Sequence, residues 1–332
     1  SKFMFDVITF GSAAWDVFMD LPPKFIKKSA HFTPAKYMVF DLGSKIDVPG
    51  TRFAFGGGGI NTARTFAAQG LSTAYCGMAG DDIPGREAVA YLNELGIDTG
   101  FLSKTAKKAT NNSVVLNAPG TDRVILVYRG ASELLAAENI DWQKLNAKLF
   151  YLAPLSGKLC RLTERITLHA KKRGAMVAAN LGNSQLAMGR ACIKSLLARI
   201  DVLILNQEEA AMMTGVDYAD EAGIIKKIVH MHSGISVVTK GEDGAAVVAG
   251  GKIYEAKLKK FKIANITGAG DAFGSGFMSG MLASGNDIEY SMRLALINAK
   301  HCLSSRIPEG LPAEEGRRLI GQENINIKIR SL

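Results

Sequence analysis

The sequence predicts an α/β fold: a mostly parallel central sheet flanked by helices on both faces, with a small β-sheet lid. Three observations predict it. Short apolar runs recur at Phe5 to Phe10, Leu149 to Ala153, Met176 to Asn180, Val202 to Asn206 and Ile235 to Thr239, each ending at small or polar residues. Near-continuous apolar runs suit strands buried on both faces. Helix-like segments at 158–172, 184–198 and 220–231 separate the later runs, the alternation expected of βαβ units. Two stretches break that rhythm, 12–55 with its four prolines and 110–130, and these are assigned to the lid.

In chain order, Phe5 to Phe10 opens the sheet and Gly11 ends the strand. Within 12–55, Tyr37 to Leu42 and Thr51 to Phe55 are β-like. The run F-G-G-G-G-I-N-T-A-R-T-F-A-A-Q-G, 55–70, then turns into a helix that Gly70 stops. Residues 110–130 read as a hairpin, Ser113 to Leu116 and Val124 to Tyr128, joined across 117–122. No flexible linker divides the chain, so a single domain over 1–332 carries a lid built from two separate segments. Near the C-terminus, Ala272 to Leu282 reads as a helix behind the turn N-I-T-G-A-G-D, 265–271.

Apolar residues make up 47% of the 332, which supplies a sizeable core and excludes global disorder. The formal charge is +9, with short scattered basic clusters such as Lys107-Lys108 and Lys171-Lys172-Arg173. A basic balance suits small anionic ligands and non-specific nucleic-acid contact alike, but clusters so short, with no RNA-binding signature beside them, read as solvated faces. Cys76, Cys160, Cys192 and Cys302 form no C-x-x-C pair, which argues against a zinc site or disulfide framework. The pair His230 and His232 has no third metal ligand nearby and reads as surface. With no stretch of 18 apolar residues and no signal-peptide pattern, a soluble cytoplasmic protein is expected.

The chemistry is concentrated in two glycine clusters. Gly268, Ala269 and Gly270 precede Asp271 and a helix, so backbone N–H groups point outward at the positive end of a helix dipole. That arrangement holds an anion, usually a phosphate, and places a carboxylate beside it. In the earlier cluster, Gly57 and Gly58 can let a ligand lie on bare backbone. Asn61 on the following turn either bonds substrate hydroxyls or caps the helix. Neither the dinucleotide G-x-G-x-x-G nor the G-x-x-x-x-G-K-[ST] phosphate loop is present.

Six segments in order resemble the ribokinase-like (PfkB) carbohydrate kinases, over nearly the whole chain. D-V-I-T-F-G-S-A-A-W-D (6–16) is similar to the family's opening strand and substrate aspartate. G-G-G-G-I-N-T-A resembles the first signature and G-M-A-G-D-D-I-P-G (77–85) its continuation. N-Q-E-E (206–209), T-K-G-E-D-G (239–244) and N-I-T-G-A-G-D-A-F (265–273) resemble the metal-side motif, the nucleotide loop and the second signature.

The resemblance implies the ribokinase-like fold and transfer of the ATP γ-phosphoryl group to a sugar hydroxyl. Asp271 is then the base, with Gly268, Ala269 and Gly270 as the anion hole. Asp16, Gly57, Gly58 and Asn61 hold the substrate; Asn206, Thr239, Lys240, Gly241 and Gly244 serve the nucleotide; Glu209 serves Mg²⁺. Arg129, beyond a lid strand, either pairs with an anionic substrate group or makes a structural ion pair. A homodimer through the lid is implied too.

Ribose-specific relatives carry Asn, Lys and Glu where this chain has Ala14, Gly58 and Ala153, so ribose itself is disfavoured. Asn265 and Ile266 replace the usual Asp-Thr beside the K⁺ site of many relatives. That argues against monovalent-cation activation, although backbone carbonyls can still hold an ion. Aromatic residues Phe18, Phe25, Phe32, Tyr37 and Phe40 either stack on a nucleoside base or form the lid's own core. A nucleoside kinase is thus the alternative, and a non-catalytic binding protein a more distant one.

Overall fold

The computed structural model describes residues 3–28, 36–118, 123–264, 267–306 and 309–332. In chain order the strands are β1 (Phe5–Phe10), β2 (Ala14–Asp20), β3 (Ile26–Lys28), β4 (Lys36–Met38), β5 (Gly50–Gly56), β6 (Thr73–Gly80), β7 (Asp98–Thr105), β8 (Asn111–Asn117), β9 (Val124–Tyr128), β10 (Ala147–Leu152), β11 (Met176–Asn180), β12 (Val202–Asn206), β13 (Ile235–Thr239), β14 (Ala245–Ala249), β15 (Lys252–Ala256) and β16 (Lys328–Ser331). The helices are α1 (Gly58–Ala68), α2 (Ile83–Glu94), α3 (Gly157–Arg161), α4 (Thr163–Arg173), α5 (Asn183–Leu186), α6 (Arg190–Leu197), α7 (Gln207–Thr214), α8 (Glu221–Met231), α9 (Ala269–Ser284), α10 (Ile288–Ser304) and α11 (Ala313–Gln322).

The main sheet has the order β16-β15-β14-β13-β12-β11-β10-β1-β6-β7. From β7 to β13 all neighbours are parallel, and β14 to β16 extend the sheet antiparallel. Alternate residues of each strand go to opposite faces. Ile8, Phe10, Phe150, Val177 and Leu203 pack under α4, α6 and α8. Val7, Leu149, Ala178, Val202 and Val237 pack under α1, α9 and α10. Burial of both faces explains why these strands read as continuous apolar runs rather than alternating ones.

A second sheet, β5-β2-β8-β9, is built from the two stretches that broke the rhythm. β2 runs antiparallel to β5 and parallel to β8, and β8 and β9 form the expected hairpin. Its core is small: Phe18, Ala54 and Val115. Phe25 and Phe40 pack on each other, ring centroids 5.3 Å apart, beside the β3–β4 pair. Phe18, Phe25 and Phe40 therefore serve the packing of this region; Phe32 lies outside the described residues.

Several expectations shift. The β-like reading of Tyr37 to Leu42 shrinks to β4, and β2 was not foreseen. The helix expected over 158–172 is parted at Leu162 into α3 and α4. The one expected over 184–198 is divided by Gly189, whose φ of 92° an L-residue rarely adopts. Gly70 does follow α1 with φ 79°. All four cysteines are free, three of them buried. No helix among the described residues is long and apolar enough to cross a membrane.

Candidate active site

From β1 the chain moves to β6 and β7 on one side, then to β10 and onward on the other. Strand order therefore reverses between β1 and β10, and ligand crevices open beyond the carboxyl ends at such a point. Gly11 follows β1 there, and Ala153 follows β10. A Cβ on Gly11 would lie 2.5 Å from the Gly59 nitrogen; one on Gly58 would lie 2.8 Å from Ala153 Cβ and 3.5 Å from Asp271 Oδ1. Glycine at these positions lets the start of α1 settle against both strand ends and against Asp271. Ala153 is a buried wall of that seat, which gives a physical reason for a small residue where ribose-specific relatives carry Glu.

Asp271 stands on the first turn of α9. Gly268 is the N-cap, left-handed with φ 83°, and no side chain caps the helix. The first-turn N–H groups are therefore offered outward, and nothing lies within 4 Å of where a Cβ on Gly270 would be. Asn61 Nδ2 donates to Asp271 Oδ2 at 2.9 Å. Burial pushes the Asp271 carboxyl above its ordinary range, while the Asn61 donor and the Arg64 guanidinium draw it back.

Asp16 lies within β2, not in a turn behind the first strand, and is 7% exposed. The parallel register sets Ser113 of β8 opposite Asp16, and Ser113 Oγ donates to Asp16 Oδ1 at 2.5 Å. The other carboxylate oxygen faces Gly56, where any Cβ would overlap it. Burial raises this carboxyl as well, against Ser113 and Arg64. Asn61 does not cap α1, because Gly57 occupies that position with φ 86°. Its amide is instead engaged with Asp271 and, through Oδ1, with Arg64 Nη2 at 2.8 Å.

Asn206 and Glu209 form a capping box at the start of α7: Glu209 N donates to Asn206 Oδ1 and Asn206 N to Glu209 Oε2, both at 2.8 Å. Asn180, at the end of β11, adds a bond to the same Glu209 oxygen at 3.3 Å. Burial pushes Glu209 up, Asn206 and Asn180 lower it, and the negative charges of Glu208 and Asp271 raise it further. A cation between Glu209 and Asp271 would relieve that repulsion. Among the described residues no group of three or more His, Cys, Asp or Glu side chains is placed to hold a metal. Glu209 offers a single carboxylate with amide neighbours, and of the hard cations magnesium is the one that tolerates so few protein ligands because it keeps several waters.

Thr239 ends β13, and the loop behind it closes through Lys240 N to Gly244 O at 2.7 Å, with Gly241 and Gly244 left-handed. The Lys240 side chain turns away to Glu221 of α8 (3.0 Å) and Glu255 of β15 (3.6 Å). Lys240 thus anchors the loop rather than presenting its ammonium group. Arg129 is exposed immediately after β9. The surface reading holds for His230 but not for His232. His232 is buried, its ring nitrogens bonded to Ser236 Oγ and Ile200 O, each at 2.8 Å. Asn265 and Ile266, which bear on the K⁺ question, lie outside the described residues.

Ser113, Asn180 and Arg64 were missed from sequence. Asn180 alone had a signal, as the polar end of an apolar run. The other two gain their positions from sheet register and helix facing.

Comparison with known proteins identifies the family and the fold. The family profile described as pfkB family carbohydrate kinase matches residues 30–306. An uncharacterised sugar kinase of Archaeoglobus fulgidus is 28% identical over 248 residues, 73% of this chain and 96% of that protein. The structure of Arabidopsis thaliana ribokinase complexed with ribose and ATP superposes with a TM-score of 0.76 at 20% identity, covering 95% and 98% of the two chains. Adenosine kinase from Sinorhizobium meliloti gives 0.77 at 20% identity, covering 97% and 100%. Phosphoryl transfer to an alcohol is the shared activity of this group, and the chain belongs to the pfkB family of carbohydrate kinases.

Proposed function

We propose that the chain transfers the γ-phosphoryl group of ATP to a hydroxyl, by preference a hydroxymethyl, of a sugar or sugar derivative. One observation carries the reading: Asp271 sits on the open first turn of α9 and is tied by Asn61 to the glycine-rich start of α1. Asp271 takes the proton of the attacking hydroxyl. Gly268, Ala269 and Gly270 offer N–H groups to the transferred phosphoryl oxygens, and Asp16 with Asn61 and the backbone of Gly57 and Gly58 grips the acceptor. Positioning and charge neutralisation are most of what phosphoryl transfer requires.

Thr239, Gly241 and Gly244 line the nucleotide, with Lys240 bracing that loop. Glu209, with Asn206 beside it on the nucleotide side, would hold Mg²⁺ through water, and the ion would neutralise charge on the phosphates. Backbone carbonyls can still hold K⁺ as an optional ion. The small sheet closes over the acceptor and excludes competing water, Arg129 stands at its rim, and two copies pair through it. The setting is the cytoplasm.

The packing of Phe18, Phe25 and Phe40 supports a sugar acceptor over a nucleoside. The adenosine kinase likeness keeps a nucleoside acceptor as the second reading. ADP release with fructose, ribose, 2-keto-3-deoxygluconate, sugar phosphates and nucleosides separates the two. Turnover with nucleosides alone would overturn the sugar reading, and none with any acceptor would leave a binding protein. Asp271→Asn should lower kcat at least about 10²-fold while nucleotide still binds.

A further inference from the structure

Arg64 lies three residues beyond Asn61 on α1, hence on the same face, and is 6% exposed. A buried guanidinium is costly unless paired. Among the described residues, no carboxylate is within ion-pair distance of it. Its donors go to neutral acceptors instead. Nη1 reaches Phe55 O at 3.1 Å and the Tyr91 hydroxyl at 3.2 Å, and Nη2 reaches Asn61 Oδ1 at 2.8 Å. An intact positive charge is thus held behind the site, one side chain removed from Asp271.

We infer that Arg64 is a positioning residue, fixing the Asn61 amide toward Asp271 and supplying the counter-charge that Asp16 and Asp271 share. Because Arg64 only donates, it accepts no orientation of Asn61 except oxygen toward itself, and this turns Nδ2 to Asp271. The chain guanidinium–amide–carboxylate polarises in one direction, each bond strengthening the next.

The charge acts on both carboxylates. Burial raises Asp16 and Asp271, and Arg64 opposes it at each. Among the described residues, the other groups near Asp271 do not supply a cation. Cys302 of α10 is a thiol pushed up to about 11 by burial. Tyr151 of β10 is raised by burial and stays neutral. Glu209 of α7 is itself acidic. Asp271 must be ionised to accept a proton, so Arg64 extends to lower pH the range over which the base is ready.

The effect on turnover rests on Asp271 being the base, whereas the effect on its titration does not. Carbon-13 NMR of aspartate carboxyls in the resting protein, with Asp271 assigned by Asp271→Asn, reads the second directly. In Arg64→Met the Asp271 carboxyl should titrate about one pH unit higher or more. The acid limb of kcat/KM should move with it, so that activity below the limb falls at least about tenfold. Arg64→Lys keeps the charge without the fork. It should leave the titration near that of the parent while kcat falls, because Asn61 loses its hold.

A folded Arg64→Met protein whose Asp271 titrates as in the parent overturns the inference. Should Met prevent folding, Arg64→Gln, which keeps a donor without charge, must show the same upward titration, and an unmoved carboxyl in it overturns the inference equally. If the parent transfers phosphate to no acceptor, the base assignment fails while the titration still tests Arg64.

Discussion

Asp271 carries its charge against the preference of its surroundings, since burial outweighs Asn61 and Arg64. The folded protein therefore holds that proton more tightly than the unfolded chain does. Stability is lost as pH rises from the ordinary carboxylate range through the raised folded value. Below that window both states are protonated and the penalty vanishes. Asp271→Asn, neutral at every pH and still able to accept from Asn61, should melt higher than the parent at pH 8, on the order of 2 °C. The gain should fade as pH falls toward 4, about the ordinary carboxylate range; thermal melts across that range read it, and an equal gain at both ends would point to another cause. The variant that loses catalysis thus gains stability, as expected of a strained functional group. Asp271 and Asn61 were legible because glycines crowd beside them. Ser113 and Arg64 were not, since nothing local marks a serine that meets Asp16 only through the pairing of β2 with β8.

At the scale of elements, the loop after β13 depends on Lys240. Its side chain is largely buried and joins the start of α8 to β15, so the loop is held from outside the crevice. Lys240→Ala should raise KM for nucleotide about three- to tenfold with kcat little changed, an amount on the scale of one partly buried ion pair. Lys240→Arg should restore most of it; steady-state kinetics at varied ATP tests both. The T-K-G-E-D-G pattern marks a loop behind β13 but does not say which way its lysine turns. That direction follows from Glu221 and Glu255, far away in sequence. β2 escaped notice for a related reason. Asp16 shares the inward face of W-D-V-F-M-D with Phe18, so a buried carboxylate breaks the apolar alternation that would mark the strand.

At the scale of the whole molecule, every residue of β9, Val124 to Tyr128, is exposed, and Phe53 of β5 is 51% exposed. Among the described residues β9 is also an edge of its sheet, the position at which a further strand can pair. An apolar edge of this kind invites pairing with a second copy. Sedimentation should find a dimer, and Leu126→Asp with Val127→Asp should shift it to monomer while leaving the main sheet folded. A parent that remains monomeric at tens of micromolar, about the range of a weak association, would remove the dimer.

The sequence by itself determined the layered α/β architecture, because strands buried on both faces and helices buried on one leave distinct apolar patterns. It also determined the glycine turn that opens α9 before Asp271, because small residues in a short local run leave a mark that a single line of sequence carries. Tertiary structure alone decided which side chains serve that turn. Asn61 reaches Asp271 across 210 residues of chain, Arg64 stands behind both, and Ser113 meets Asp16 across the small sheet. A contact between distant segments is fixed by how the elements pack, and packing is a property of the whole fold that no local pattern encodes.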